Sequence, residues 1–156
     1  MTISMDGPAP PEARRAALTA LAAAEVGEMS AAFDGLADAP EFETVRPPEV
    51  GLVMARGRIG GGGAPFNLGE VTVTRAVVRI DTGEVGFGHV LGRDTTRALL
   101  VAKLDALWQS SRYRELVEAR VIVPVRRRVA AEEQATRRKS AATRVNFFTL
   151  VRGEDG

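Results

Sequence analysis

The sequence predicts an α+β fold in which helices cover one face of an antiparallel sheet of about four to five strands, with the N-terminal helix first. Three observations predict it: an Ala- and Leu-rich segment opens the chain, alternating β-branched segments joined by a turn follow, and an amphipathic segment comes after them. With 156 residues, of which 45% are hydrophobic, the chain suits one domain with a modest core. We place that domain at residues 12–152, between a disordered tail at 1–11 and a charged tail at 153–156.

The first predicted element is a single helix over residues 12–33. Apolar side chains recur there near helical spacing, and both Ala and Leu are strong helix formers. Glycine and proline then interrupt an acidic connection, which leaves one short strand candidate at residues 42–45.

The middle of the chain predicts an antiparallel meander. Residues 51–59 begin with apolar, partly β-branched side chains, and residues 68–80 alternate valine with glutamate and threonine. The turn at residues 81–83 combines an Asp that bonds its own backbone with a Gly that is free to take a positive φ. Residues 84–91 then return as the partner strand.

An amphipathic helix is predicted directly after the meander. Asp94 is its candidate N-cap, and apolar side chains recur at helical spacing as far as about Gln109. We expect this helix to cover the sheet and to anchor the core.

The C-terminal third predicts further helix and a last strand. Residues 113–117 add one turn, and Pro124 suits the start of a polar, strongly basic helix over residues 125–139. Residues 143–152 are rich in β-branched and aromatic side chains, which favours a strand that returns to the sheet.

The composition narrows the chemistry that this chain can carry. It has no cysteine, which excludes disulfides, thiolate metal sites, iron–sulfur ligation and thiol nucleophiles, and its single histidine excludes a multi-histidine metal cluster. No apolar run approaches the roughly 18 to 20 residues that span a bilayer, and the N-terminal segment lacks a secretory apolar core. We therefore expect a cytoplasmic protein with no membrane partner.

Charge is segregated along the chain, although the formal net charge is only +1. Residues 1–50 hold nine acids and three bases, whereas residues 51–156 hold eighteen bases and eleven acids. Nineteen of the 21 bases are arginine, whose planar guanidinium can make paired hydrogen bonds to phosphate or carboxylate. Locally clustered arginines are therefore the candidates for anion or partner contacts.

The most unusual local feature is a glycine run beside Arg56 and Arg58, between two predicted strands. Its members are Gly60, Gly61, Gly62 and Gly63. Such a run gives up side-chain packing, which indicates unusual φ angles, close approach or mobility. Its backbone N–H groups can form an anion-binding nest for a phosphate or phosphonate, to which the two arginines add charge. The alternative is a flexible hairpin loop that orders against a partner protein, and the run matches neither a P-loop nor a dinucleotide-binding fingerprint.

Three arginines lie on predicted strands, where a charge is unusual unless an acid or an anion pairs with it. They are Arg75, Arg79 and Arg144. Glu70 and Asp81 are the candidate internal partners, and the favoured alternative is solvated or salt-bridged arginines on the exposed face of a one-sided sheet.

The single histidine, His89, belongs to the residue type most often used for proton transfer near neutrality. The sequence assigns it no relay and contains no nucleophile elbow, so a hydrolase built on this chain alone is poorly supported. We interpret it as a histidine whose hydrogen bonds are satisfied within a strand or turn.

Basic clusters at both ends of the last predicted helix raise nucleic acid as an alternative partner. The clusters are residues 126–128 and 137–139, six groups that could neutralise phosphates. Glu132 and Glu133 interrupt the run, however, and no recognition helix or aromatic stacking motif accompanies it. A solvated or protein-bound basic helix is favoured over nucleic-acid binding.

Several ordered motifs resemble the G subunit of the bacterial carbon–phosphorus lyase core complex. They are PPEVGLVMARGR at 47–58, GGGG at 60–63, PFNLGE at 65–70, TR at 74–75, DAL at 105–107, TRVNFFTL at 143–150 and RGE at 152–154. The resemblance runs from about Arg14 to the C-terminus. The sequence departs from the family pattern at Ala64, after the glycine run, and in the extra prolines of its N-terminal tail.

The resemblance implies a part in phosphonate use. Together with H and I companions and a nucleotide-binding-cassette protein, this subunit is required for a phosphonate to displace adenine from ATP, giving a ribose 1-phosphonate 5-triphosphate. In the family, the displacement is attributed mainly to the I subunit and carbon–phosphorus cleavage to the iron–sulfur radical J subunit. The resemblance therefore implies an accessory subunit, with ATP as a substrate of the complex and no cofactor bound by this chain alone.

The residue patterns and the resemblance meet at the sheet. Because an exposed sheet edge is an aggregation liability, we expect the I subunit to cover it directly and the chain to behave poorly alone. We also expect anion contacts to a triphosphate or phosphonate near the subunit boundary. The candidates are the four glycines of the run with Arg56, Arg58, Asn67, Arg75 and Arg144.

Overall fold

A computed structural model describes residues 9–58 and 62–143 of the chain. Its elements are α1 (Pro11–Ala23), α2 (Val26–Phe33), β1 (Phe42–Arg58), β2 (Pro65–Ile80), β3 (Val85–Leu91), α3 (Thr95–Gln109), α4 (Ser111–Val117), a π-helical segment (Glu118–Ile122) and α5 (Val123–Ala142). The predicted strand at 143–152 falls almost entirely outside the described residues. So do Gly60, Gly61, Arg144, most of the predicted N-terminal tail and all of the C-terminal one.

The three described strands form one antiparallel sheet in the order β1-β2-β3, which confirms the α+β fold class with fewer strands than predicted. Two of the predicted strands are one: residues 42–45 and 51–58 belong to a single strand, β1, and residue 59 lies outside the described residues. Pro47 and Pro48 do not end it, because β1 lies at the sheet edge, where a residue without an N–H is tolerated. The register shifts on both sides of Arg46 absorb the irregularity.

Helix α3 covers one face of the sheet, as predicted. The Asp94 side chain accepts a hydrogen bond from the Arg97 backbone N–H at 2.9 Å and so caps the helix. Gly86 and Gly88 of β3 allow the backbones to approach, since a Cβ at either position would overlap a carbonyl oxygen of α3. The core packs helices α1 to α3 and the first turn of α5 against Ala76, Val78 and Ile80 of β2.

The single predicted helix at 12–33 was wrong: α1 and α2 meet at a 114° bend. The last carbonyls of α1 receive hydrogen bonds from outside the helix instead of from its next turn. Arg97 donates to the carbonyls of Ala22 and, at 3.1 Å, of Ala24, while Arg128 donates to the Ala23 carbonyl at 2.8 Å. Tertiary partners that lie far along the chain thus satisfy the carbonyls at the end of α1, and a local capping box of Glu25 and Glu28 starts α2.

Within residues 9–58 and 62–143, no single helix has the length and apolar character to cross a membrane. The bent pair α1 and α2 meets that test by length and composition alone.

The basic helix forms where predicted but is longer. α4 accounts for the predicted turn at 113–117, and the π-helical segment leads without a break into α5, whose second residue is Pro124. Every side chain of α5 from Ala130 onward is exposed. The C-terminal half of α5 therefore extends from the domain without covering its core.

Candidate interaction and anion-binding site

Strands β1 and β2 continue together well beyond the rest of the sheet. β3 pairs with β2 only between Val73 and Arg79, so residues 52–58 of β1 and 65–72 of β2 form a two-stranded extension. We call this extension, together with Val50 and Gly51 that lead into it, the ribbon. The glycine run connects its two strands. Among the described residues, no third strand pairs with the ribbon.

The ribbon carries most of the large apolar side chains that the domain exposes. Eight such side chains are exposed among the described residues, and five of them lie on the ribbon. These are Val50, Leu52, Met54, Phe66 and Leu68, with exposed fractions of 40 to 64%. A concentration of apolar surface on one projection is typical of a protein interface.

The ribbon also brings together three of the predicted site residues. Exposure alternates along β1 from Gly51 to Arg58, which places Arg56 and Arg58 on the face that carries Leu52 and Met54. Asn67 pairs in register with Arg56 across the ladder, so its side chain shares that face. Neither guanidinium forms an ion pair with a described residue. Within residues 9–58 and 62–143, no carboxylate neutralises these two charges.

Arg75 lies outside this group of residues. It pairs in register with Glu49, seven residues and about 23 Å along β1 from Arg56. Alternate residues of a strand face opposite sides of the sheet, and Ala76, Val78 and Ile80 face α3. Arg75 therefore lies on the other face, away from α3. The predicted anion site is thus divided: Arg56, Arg58 and Asn67 are neighbours, Gly62 and Gly63 lie in the connection beside them, and Arg75 is elsewhere.

The predicted acid partners of the strand arginines were wrong. Arg75 pairs with Glu49 at 3.3 Å and Arg79 pairs with Glu43 at 3.4 Å, instead of with Glu70 and Asp81. Both acids lie directly across the ladder on β1, where antiparallel pairing sets the neighbours. The sequence did not show this pairing because the register depends on the bulges around Arg46.

His89 lies exposed on β3, opposite Arg75 in the ladder. Both line a shallow groove on the open sheet face, together with Arg46 and the ring of Phe87. The His89 side chain makes no hydrogen bond to any described residue. The prediction that its hydrogen bonds are satisfied within the strand was therefore wrong.

A buried ion pair that the sequence analysis missed joins three elements. The Asp105 side chain of α3 is 1% exposed and accepts hydrogen bonds from Arg14 of α1, at 2.7 Å from Nη2 and 3.1 Å from Nε. It also accepts the Phe87 backbone N–H of β3 at 2.9 Å. The sequence signal for this ion pair is an acid, Asp105, that lies between Leu104 and Ala106 on the apolar face of the predicted core helix and so needs a buried partner.

Arg128 forms a second such link, between α5 and the start of α2. Its guanidinium donates to both Glu28 carboxylate oxygens, at 2.9 and 3.0 Å. These hydrogen bonds, together with one from the Glu25 backbone N–H, lower the pKa of the Glu28 carboxyl below its ordinary value. The same contacts raise the pKa of the Arg128 guanidinium. One member of the predicted basic cluster thus has a structural role.

The rest of the basic helix is only partly neutralised. Arg126 lies 3.9 Å from Glu118, and Arg128 also contacts Glu132 at 3.1 Å. The remaining bases, Arg127, Arg137, Arg138 and Lys139, are exposed and form no ion pair within the described part of the chain.

Comparison with known proteins agrees with the motifs. A family model described as "Phosphonate metabolism protein PhnG" matches residues 12–153. A curated relative from Rhizobium meliloti (strain 1021), the alpha-D-ribose 1-methylphosphonate 5-triphosphate synthase subunit PhnG, is 56% identical over 142 residues, which cover 91% of this chain and 90% of the relative. The chain belongs to the PhnG family. The predicted resemblance is confirmed.

Two of the PhnG motifs have structural roles in this chain. Asp105, the first residue of the DAL motif, is the buried acid that holds α1 and β3 to α3. Thr74, the first residue of the TR motif, is fully buried and donates its hydroxyl to the Gly92 carbonyl at 2.7 Å. Two longer PhnG motifs, at 47–58 and 65–70, cover most of the ribbon. The motifs that carry the resemblance thus lie both in core contacts and in the exposed extension of this chain.

Proposed function

We propose that this chain is an accessory, non-catalytic subunit of an alpha-D-ribose 1-methylphosphonate 5-triphosphate synthase in phosphonate catabolism. In this function the complex transfers the ribose triphosphate part of ATP to a phosphonate and releases adenine. The relative from Rhizobium meliloti is named as a subunit of this synthase and shares 56% of its residues with the chain.

The observation that carries the accessory role is the ribbon. The ribbon exposes five large apolar side chains, and a two-stranded pair is only marginally stable in water by itself. It therefore gains stability from contact with another protein surface. Its role is then to complete an interface, and the reacting groups come from the companion subunits. We take the I subunit as its direct partner, with the H and J subunits and the nucleotide-binding-cassette protein in the wider assembly, in the cytoplasm.

Arg58 and Asn67 are the residues through which we propose that this chain contacts an anion. They lie at the ribbon end beside the glycine run, and Arg56 adds a second positive charge there. Guanidinium and amide donors next to backbone N–H groups suit a triphosphate or phosphonate oxygen at the subunit boundary. ATP is then a substrate of the complex, and this chain binds no cofactor by itself. Arg144, outside the described residues, stays a prediction for the same site.

The experiment is adenine release by the co-expressed complex, supplied with ATP and methylphosphonate, with and without this chain. The complex should release adenine only when the chain is present. Arg58→Glu should lower the rate by at least about tenfold while the subunits still co-purify, because a repelled phosphate loses a charge-assisted bond. Arg15→Glu, on the exposed surface of α1, is the control and should change neither property.

Two results would contradict the proposal. Adenine release at the full rate without this chain would remove its accessory role. Release of the chain from its companions by Arg58→Glu would assign Arg58 to the interface and not to the anion.

Nucleic-acid binding is the second candidate, favoured only by the four exposed bases of α5 that lack ion pairs. It predicts that the isolated chain binds DNA or RNA with an affinity that falls steeply as salt rises. We expect no such binding at physiological salt, and a filter-binding titration at two salt concentrations decides between the candidates.

A further inference from the structure

The two edges of the sheet differ in whether they can accept another strand. Over the first half of the β3 edge, side chains of α3 occupy two outward backbone groups: Asp105 accepts the Phe87 N–H at 2.9 Å, and Gln109 donates to the Val85 carbonyl at 2.7 Å. At the β1 edge, bulges and prolines interrupt the strand around Arg46, and one further register shift falls between Ala55 and Arg56. From Val50 to Ala55 the ladder with β2 is regular. The extra residue at the register shift after Ala55 is Leu68 of β2, so β1 itself continues to Arg56 without an inserted residue, and no described residue bonds to its outer edge.

The orientation of the backbone groups along β1 follows from one hydrogen bond. The Gly92 N–H donates to the Thr72 carbonyl at 2.9 Å, so the Thr72 backbone groups point towards the β3 side. In an antiparallel sheet, alternate residues point to opposite neighbours, and directly paired residues either exchange both hydrogen bonds or none. Leu52 pairs with Thr72, and Met54 pairs with Glu70. The N–H and C=O groups of Leu52 and Met54 therefore point outward, to the free edge.

Charge on this edge argues against a second copy of the chain as its occupant. If two copies of the chain paired through their β1 edges about a two-fold axis, each side chain on the face that carries Leu52 and Met54 would lie opposite a side chain from the same face of the other copy. That series is Val50, Leu52, Met54, Arg56 and Arg58 and contains no acid. Within this series, Arg56 would face an apolar side chain or another arginine in every register. A foreign strand can offer it a carboxylate.

We propose that the outer edge of β1 from Val50 to Arg56 accepts an extended segment of a companion subunit as an added strand. Its alternate side chains are apolar opposite Leu52 and Met54 and acidic opposite Arg56. Main-chain hydrogen bonds hold such a strand, and the alternate side chains select it. Arg58, nearest the glycine run, stays free for the anion. This inference deepens the proposed function and rests on it.

A proline scan against matched alanines tests the backbone contact. Leu52→Pro removes an outward N–H, whereas Leu52→Ala removes the same side chain and keeps the N–H; proline is tolerated at an edge position whose N–H faces out. In co-purification with the I subunit, we expect Leu52→Pro to retain about tenfold less partner than Leu52→Ala, and Met54→Pro to behave likewise against Met54→Ala. Arg56→Glu should also weaken capture, while Arg58→Glu should not. Equal capture by the proline and alanine variants would overturn the proposal.

Hydrogen exchange provides a readout that does not depend on the variants. The Leu52 and Met54 amides should exchange freely in the isolated chain and become protected in the complex, whereas the Val53 amide, which points into the ladder, is the internal reference. Protection of Leu52 and Met54 in the isolated chain would show that the chain or a second copy covers the edge, and would overturn the proposal. Failure of the unaltered chain to hold the I subunit at all would instead contradict the proposed function.

Discussion

Arg14 and Asp105 are 91 positions apart in the sequence, and their side chains meet at 2.7 Å to fasten the first helix to the central one. The Asp105 carboxylate is buried and accepts from Arg14, from the Phe87 backbone and, at 3.4 Å, from Gln109. A buried charge is tolerated only when its hydrogen-bonding capacity is filled in this way. The same carboxylate thus occupies one outward backbone group of β3.

Removing the Arg14 side chain should therefore destabilise the fold more than the partial exposure of Arg14 suggests. Arg14→Ala leaves the Asp105 carboxylate buried without its cation, and we expect a loss of about 3 kcal/mol in the free energy of unfolding. Urea unfolding followed by the fluorescence of Trp108, the single tryptophan, measures it. Arg15→Ala, its exposed neighbour, should change the midpoint little; a similar loss in both variants would contradict a specific role for the ion pair.

Close packing of α3 on β3 predicts opposite effects for two Gly→Ala substitutions. At Gly88 the added Cβ would overlap the Ala98 carbonyl oxygen, and backbone must move, so we expect a destabilisation of at least about 3 kcal/mol. At Gly27, in α2, nothing lies within 4 Å, and alanine should stabilise the helix by about 0.5 to 1 kcal/mol. The shift in urea midpoint should therefore differ in sign, and destabilisation by Gly27→Ala would contradict the described packing.

The Glu28 carboxyl predicts an acid-sensitive contribution to stability. Its pKa is lowered in the folded state, mainly by the hydrogen bond from Arg128, relative to the ordinary value of 4.5. The pair therefore stabilises the fold fully above pH 4.5, and the contribution is lost as pH falls through the folded pKa. Glu28→Gln should be less stable at pH 7 and should lose less stability between pH 5 and 3. Glu133→Gln, an exposed position on α5, is the control, and identical pH curves for Glu28→Gln and the unaltered chain would contradict the prediction.

The apolar ribbon predicts poor solution behaviour of the isolated chain. We expect concentration-dependent aggregation that co-expression with the I subunit suppresses, because the partner covers the exposed side chains. Leu52→Lys and Leu68→Lys should raise the solubility of the isolated chain and weaken its association, whereas Ala135→Lys on exposed α5 should do neither. Light scattering and co-purification measure the two effects, and a soluble monomeric isolated chain with no affinity for the I subunit would contradict the expectation.

Much of the secondary structure could be predicted because local signals carried it. Asp94 capped α3, alternating valines marked β2, and the turn at 81–83 formed with Gly83 at a φ of +104°. The family could also be predicted, since long motifs in fixed order determine it. The glycine run marked the place in the sequence beside which Arg56, Arg58 and Asn67 lie near one another.

Tertiary structure decided what depends on partners distant in the chain. Arg97 and Arg128 satisfy the carbonyls at the end of α1, and the bulges of β1 gave Arg75 and Arg79 their acid partners. The separation of Arg75 from the ribbon end follows from the same register. Propensity, capping and turn chemistry act over a few residues, whereas register, burial and ion pairing depend on which segments meet, and that is settled only when the sheet and helices pack.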